Sequence, residues 1–139
     1  LVRSRGLGDV YKRQVYQLIA RFLKDAKPKV EVNDNRIQKV LSHIRKNIYK
    51  TVDIDSLAAI SCLSKDHFIR LFKKEVGTTP LQYINQKKIE KAQLILITED
   101  IPVKNIAYLL AYEDHSYFNR LFKKITDVTP QQYRELYKK

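Results

Sequence analysis

Arginine and lysine recur at matched positions in two stretches of the chain that are fifty residues apart. The shared cations are Arg70, Lys73 and Lys74 in the first stretch, and Arg120, Lys123 and Lys124 in the second. A guanidinium can donate a forked pair of hydrogen bonds to O6 and N7 of guanine, or it can bind phosphate. An ammonium binds phosphate as a point charge, which supplies affinity rather than sequence preference. The cations therefore predict a polyanionic partner.

The residues around these cations differ between the two stretches. They are Lys65, Asp66 and Ile69 in the first, and His115, Ser116 and Asn119 in the second. An Asn amide can pair with adenine, and Ile69, an apolar residue on a charged face, could contact a thymine methyl group. We predict base contacts from Lys65, Asp66, Ile69, Arg70, His115, Ser116, Asn119 and Arg120. We predict phosphate contacts from Ser64, Lys73, Lys74, Lys123 and Lys124.

Simpler interpretations exist for some of these residues. A lysine pair on one isolated helix is more often a solvated face than a contact, but its recurrence at matched positions favours contact. Asp66 in a first helical turn is as well explained by the helix dipole as by a bond to cytosine. The single cysteine, Cys62, is expected to pack in the core near a helix end. An alternative use of Cys62 is as the methyl acceptor of a DNA-repair protein.

The two stretches belong to a longer repeat. Residues 68–83 are FIRLFKKEVGTTPLQY and residues 118–133 are FNRLFKKITDVTPQQY, identical at ten of sixteen positions. Phe68, Leu71 and Phe72 are spaced i, i+3 and i+4, which places them on one buried helix face. A Thr-Pro pair then opens another helix in each copy. A short apolar helix precedes each basic helix, so each copy is predicted to be a helix-turn-helix.

The whole chain is predicted to be all-α, with about seven helices. It has only three glycines and four prolines, too few for the turns of a strand-rich fold. The predicted elements are two helix-turn-helix subdomains and a long linker helix over residues 80–98, preceded by a remnant N-terminal helix. Nineteen residues span about 28 Å, close to the roughly 34 Å between successive major grooves on one DNA face.

Composition limits the function classes. The formal net charge is +12, which favours a nucleic acid and leaves a non-specific cationic binder of RNA or membranes as an alternative. No paired carboxylates, nucleophile with a base, glycine-rich phosphate loop or metal-ligand spacing suggests an enzyme, a cofactor or a metal. No apolar stretch approaches a membrane span. We expect a cytoplasmic, nucleoid-associated protein.

The N-terminal part is expected to differ in origin from the rest. Residues 1–14 form a basic leader that is predicted to be non-native. Residues 15–32, an amphipathic helix and a linker, are predicted to be the remnant of an upstream domain. Residues 33–139 are then the tandem helix-turn-helix domain.

Two longer segments carry a family resemblance. The segments IDSLAAISCLSKDHFIRLFKKEVGTTPLQYI and VKNIAYLLAYEDHSYFNRLFKKITDVTPQQYR resemble the C-terminal DNA-binding domain of the bacterial AraC/XylS transcription regulators. The resemblance covers about residues 33–137. It implies promoter DNA and RNA polymerase as partners, activation of transcription, and an upstream domain for effector binding and dimerisation. Three residues depart from the pattern: Ala111 and Asp127 replace glycines, and Lys88 replaces an arginine.

Overall fold

The computed structural model describes residues 31–138, together with Gly8, Lys12, Val15 and Tyr16. The chain divides into two compact units, Leu1–Glu31 and Val32–Lys139. In the first unit Gly8, Lys12, Val15 and Tyr16 are helical, and Glu31 is not. The predictions of a non-native leader and of a remnant helix and linker fall almost wholly outside the described residues. The second unit contains all of the predicted contact residues.

The all-α prediction is confirmed for residues 31–138, which form seven helices and no strand. In chain order these are α1 Asn35–Lys46, α2 Ile54–Ile60, α3 Lys65–Val76, α4 Pro80–Thr98, α5 Val103–Leu109, α6 His115–Thr126 and α7 Pro130–Tyr137. The helix pairs α2–α3 and α5–α6 are the two helix-turn-helix subdomains. The linker helix is α4.

We call α3 and α6, the second helix of each helix-turn-helix, the recognition helices, and side-chain caps explain where they begin. The Ser64 hydroxyl accepts a hydrogen bond from the His67 backbone N–H at 3.4 Å, at the start of α3. The Asp114 carboxylate accepts one from the Ser116 N–H at 2.8 Å, at the start of α6. Each bond satisfies one of the N–H groups that a helix start leaves without a partner. The direction of each recognition helix is thus set by the turn that precedes it.

The turn of each helix-turn-helix contains a residue in the left-handed conformation. Cys62 has φ 57° and Ala111 has φ 59°. The prediction that Cys62 packs in the core is wrong, because its side chain is exposed. At this φ the chain reverses direction, and the following residue, Leu63, returns to the helix by donating its N–H to the Ala58 carbonyl at 3.1 Å. Leu63 therefore packs against the core where Cys62 was expected to.

The second turn is one residue longer than the first. Tyr112 donates its N–H to the Ala107 carbonyl at 3.0 Å, as Leu63 does to Ala58 in the first copy. Ser64 caps α3 immediately after Leu63, whereas Glu113 stands between Tyr112 and the cap Asp114. Equivalent residues of the two copies are therefore 49 positions apart up to Leu63 and Tyr112, and 50 positions apart from the caps onward.

Each half of the domain has its own core, and α4 contributes to both. In the first half, α4 contributes Ile84 to the cluster that contains Phe68 and Phe72. In the second half, residues from Ile89 to Leu96 join the cluster that contains Phe118 and Phe122. Lys88 lies between these two parts of α4. The linker helix is therefore an integral part of both halves.

Candidate nucleic-acid interface

Aromatic packing fixes the rotation of α3 about its axis. Phe68 and Phe72 are fully buried, and their ring centroids lie 5.7 Å apart. Tyr83 of α4 contacts Phe72 edge to face at 5.7 Å. At about 100° per residue, the position opposite these two phenylalanines is that of Arg70. The buried face therefore directs Arg70 to the centre of the exposed face.

The same packing recurs in α6. Phe118 and Phe122 are fully buried with centroids 5.9 Å apart, and Tyr133 of α7 contacts Phe122 at 5.5 Å. In both copies a tyrosine of the following helix thus packs beside a buried phenylalanine. Arg120 lies opposite this face of α6, as Arg70 does in α3. The two recognition helices thus present their arginines in equivalent settings.

The exposed faces combine the shared cations with residues that differ. We call these two sets the recognition faces; their exposed members include Asp66, Arg70, Lys73 and Lys74 on α3, and Ser116, Arg120, Lys123 and Lys124 on α6. All eight were predicted contact residues. All eight side chains are therefore accessible to a ligand that lies along either helix.

The predicted outward projection of Ile69 needs correction. Ile69 is half-buried and packs against the first core cluster, because it lies about 100° around the helix from Arg70. Its apolar character is therefore explained by packing without a thymine contact. Asn119 occupies the same flank of α6 and is also half-buried. Contact of either residue with a base stays a prediction. Such a contact would be made at the edge of the recognition face.

Asn119 has a polar atom that its surroundings do not satisfy. Its Oδ1 is buried, and no described residue donates a hydrogen bond to it. An unsatisfied buried acceptor costs about 1–3 kcal/mol. Rotation of the side chain to bring this oxygen to a ligand donor would recover part of that cost. In the first copy the corresponding Ile69 carries no such polar group.

The remaining predicted residues lie at the start of the recognition helices. Lys65 is ion-paired with Asp55 of α2 at 3.2 Å, and both side chains are more than half exposed. Such an exposed pair contributes little to stability, so Lys65 is available to a stronger anion. His115 is half-buried at the first position of α6. Ser64 is exposed, and its oxygen caps α3 while its hydroxyl proton remains available for donation.

Two further residues belong to the recognition faces but were not predicted. His67 and Tyr117 are exposed at the third position of α3 and of α6. Tyr117 is 43% exposed while its ring still lies 6.1 Å from that of Tyr112. Each is about 60° from the arginine in helical projection. That projection, applied to every position of the helix, would have identified both.

Other site types receive no support from the described residues. No group of three or more described His, Cys, Asp or Glu side chains could hold a metal ion. Among the helices that the structure describes, none has the length and apolar character needed to cross a membrane.

Comparisons with known proteins agree with this geometry. Residues 57–136 match the family profile of a helix-turn-helix domain. The MmsAB operon regulatory protein of Pseudomonas aeruginosa is 34% identical over 68% of this chain and 31% of its own length. The arabinose operon regulatory protein of Escherichia coli K12 is 30% identical over 73% of this chain and 35% of its own length. The chain thus matches about a third of each relative's length.

A solved structure has the same fold. The DNA-binding domain of AdpA, a global transcriptional factor, was crystallised in complex with a target DNA. It superposes with a TM-score of 0.71 at 24% identity, covering 75% of this chain and 94% of that domain. The tandem helix-turn-helix fold and the sequence matches define the class of protein. The chain belongs to the AraC/XylS family of helix-turn-helix transcriptional regulators.

Proposed function

We propose that this chain is the sequence-specific, double-stranded DNA-binding part of a transcriptional regulator. In this proposal α3 and α6 each enter a major groove and contact base edges. Arg70 and Arg120 are at the centre of those contacts. The lysines of the two recognition faces bind the flanking phosphates and supply the salt-dependent part of the affinity.

One observation carries the proposal. The two recognition faces share an arginine and a lysine pair but differ at most other exposed positions, as in Asp66 against Ser116 and His67 against Tyr117. The buried faces, by contrast, keep the same aromatic pair in both copies. A non-specific polyanion binder would not require the two faces to differ. Two unlike faces on one scaffold are suited to two unlike half-sites.

The length of α4 is consistent with this arrangement. Its nineteen residues, Pro80–Thr98, span about 28 Å at roughly 1.5 Å per residue. Successive major grooves on one face of B-DNA recur every 34–36 Å or so. One chain could therefore place its two recognition helices in adjacent grooves, as the two subunits of a repressor dimer do.

Selection of bound duplexes from a random pool tests the proposal. We expect two dissimilar short motifs whose centres lie about one helical turn, or 10–10.5 base pairs, apart. Arg70→Ala should weaken the preference within one motif and Arg120→Ala within the other. Enrichment of no motif, or of a single short motif, would contradict two-helix recognition.

Competition separates this function from the non-specific alternative. A scrambled duplex, an RNA hairpin or vesicles with anionic headgroups should displace a selected duplex only at much higher concentration. Equal competition by all three would identify the chain as a general cationic binder. Methylation of Cys62 by alkylated DNA, detected by mass spectrometry, would instead indicate a repair function; exposure of Cys62 is the structural condition for that test.

The finer features of the proposal concern the full-length regulator. We propose activation of transcription through contact with RNA polymerase at promoters, in the cytoplasm, with effector binding and dimerisation supplied by a separate domain. The resemblance to operon regulators supports this assignment. Transcription in vitro from a promoter that contains the selected site, with and without the chain fused to a dimerising domain, measures the sign of regulation.

A further inference from the structure

A buried lysine occupies the junction between the two halves of the domain. Lys88 of α4 is 5% exposed, and its Nζ donates to the Lys50 carbonyl at 3.1 Å and to the Leu110 carbonyl at 2.7 Å. Lys50 follows α1 in the first half, and Leu110 is the C-terminal cap of α5 in the second. One ammonium group therefore hydrogen-bonds to backbone from both halves.

An aromatic ring completes the environment of this ammonium. Lys88 Nζ lies 5.2 Å from the ring centroid of Tyr112, and the Tyr112 hydroxyl donates to Asn85 Oδ1 of α4 at 3.1 Å. Burial lowers the pKa of Lys88 and raises that of Tyr112. The two carbonyls and the ring stabilise the charge in place of water. We call Asn85, Lys88 and Tyr112 the junction cluster.

Comparison with the second copy shows which contact of Lys88 is additional. Lys138 lies fifty residues after Lys88, and its Nζ donates to the Glu99 carbonyl at 2.9 Å. Glu99 lies 49 residues after Lys50, the same offset that relates the first helices of the two copies. Each lysine thus donates to a backbone carbonyl of its own half, and Lys138 is also ion-paired with the Asp100 carboxylate. Of these two lysines, Lys88 alone also bonds to a carbonyl of the other half, that of Leu110.

One member of the junction cluster, Tyr112, lies in the turn that sets the direction of α6. Tyr112 lies in the turn between α5 and α6, two residues before the cap Asp114, and its ring is 5.4 Å from that of Phe118 in α6. Movement of Tyr112 relative to α4 would therefore change the direction of α6. The first half, through Ile84, is packed on the same helix α4.

We propose that Lys88 is a positioning residue that fixes the orientation of α6 relative to α3, and thereby sets the spacing of half-sites that the chain accepts. This inference rests on the proposed function. Rigid linkage raises the effective concentration of the second recognition helix only when the DNA geometry matches. A looser junction lowers affinity at the matching spacing and reduces discrimination against other spacings.

The test uses Lys88→Met, which keeps the length of the side chain and removes its donors. Probes are the selected bipartite duplex, the same duplex with one or two base pairs inserted between the motifs, and a duplex with one motif alone. We expect Lys88→Met to bind the bipartite duplex with about tenfold lower affinity than the wild type. Its affinity for the single-motif duplex should equal that of the wild type, and its affinities for duplexes of different spacing should be similar to one another. Lys88→Arg keeps the charge and the donors and should therefore keep the spacing preference of the wild type. Lys138→Met is the matched control and should keep it.

A second measurement needs no DNA. Residual dipolar couplings of backbone amides should fit one alignment tensor for both halves in the wild type and two different tensors in Lys88→Met. A single shared tensor together with unchanged spacing preference would overturn the proposal, as would an equal loss on the single-motif duplex. If Lys88→Met does not fold, Lys88→Gln keeps a polar group but is too short to bond to both carbonyls, and an unaltered spacing preference in that variant overturns the proposal.

The outcomes also separate this inference from the function on which it rests. A wild-type chain with no preference for any duplex contradicts the proposed function. The alignment tensors then still decide whether Lys88 fixes the two halves. A wild type with a strong bipartite preference that Lys88→Met retains contradicts the inference alone.

Discussion

Cys62 and Ala111 adopt the same left-handed backbone conformation, with φ 57° and 59°, at equivalent positions of the two helix-turn-helix turns. Both donate their N–H to a carbonyl three residues earlier, at 3.0 Å and 2.9 Å. A residue with a Cβ carries a cost of about 1–2 kcal/mol in this region. The turns therefore keep their shape through the surrounding packing and against a local preference.

Ala111→Gly is expected to stabilise the domain by about 1 kcal/mol, because glycine adopts the left-handed conformation without a Cβ clash. Thermal unfolding followed by circular dichroism measures the change. The matched control is Ala59→Gly at an exposed position inside α2, which should instead destabilise by about 1 kcal/mol. A loss of stability in Ala111→Gly would show that its methyl group packs better than its φ suggests.

Arg120→Ala is expected to reduce discrimination between the selected duplex and a scrambled one by about 1–3 kcal/mol, if its guanidinium is bidentate to guanine. The reason is its central place on the exposed face, opposite Phe118 and Phe122. Fluorescence anisotropy titrations with both duplexes measure the effect. Equal losses on both duplexes would assign Arg120 to phosphate binding.

Lys123→Ala is expected to weaken binding to all duplexes by a similar factor and to reduce the slope of log K against log salt by about one unit. Lys123 is exposed near the end of α6 and carries no base-specific geometry. Titrations at several salt concentrations give the slope. Lys39→Ala, at an exposed position on α1 outside the recognition faces, is the control and should leave the slope unchanged.

Local features of the fold could be predicted from the sequence because they depend on neighbouring residues. The caps at Ser64 and Asp114 and the Phe68–Phe72 face follow from residue type and spacing within one helical turn. Asp127 could likewise be expected to accept the left-handed conformation in place of glycine, and its φ is 67°.

Features that depend on distant parts of the chain could not be predicted in this way. The contacts of Lys88 join carbonyls 38 and 22 residues away. Helical spacing puts Ile69 on the flank of α3, and only the packing of α3 against the first core makes that flank half-buried. The exposure of Cys62 depends on a backbone angle that its apolar neighbours did not indicate. In each case tertiary geometry decided between two reasonable local interpretations.

The charge on the Asp34 carboxylate, at the start of α1, should make the stability of the domain depend on pH under acidic conditions. Arg36 donates side-chain hydrogen bonds to Asp34 at 2.7 and 3.1 Å, and these lower the pKa of Asp34 to about 2. The pKa of an unfolded Asp is about 3.9. Stability from this group is therefore present above pH 4 or so and is lost as the pH falls through the folded value.

Asp34→Asn keeps a capping oxygen and removes the charge. Urea unfolding across the pH range should show the wild type more stable than Asp34→Asn at pH 6, with the difference shrinking between about pH 4 and pH 2. The lowered pKa values of Asp53 and Asp100 affect both proteins alike. A difference that stays constant with pH would mean that cap geometry, and not charge, distinguishes the two proteins.

The separate cores of the two halves have a consequence for how such a chain can evolve. Substitutions on the exposed face of α3 leave the packing of α6 untouched, because each recognition helix is held by its own aromatic cluster. Mutation can therefore alter preference for one half-site while the other continues to anchor the protein to its promoter. A regulator built in this way can acquire a new target through intermediates that still bind DNA, and recombination within α4 could exchange one half between relatives.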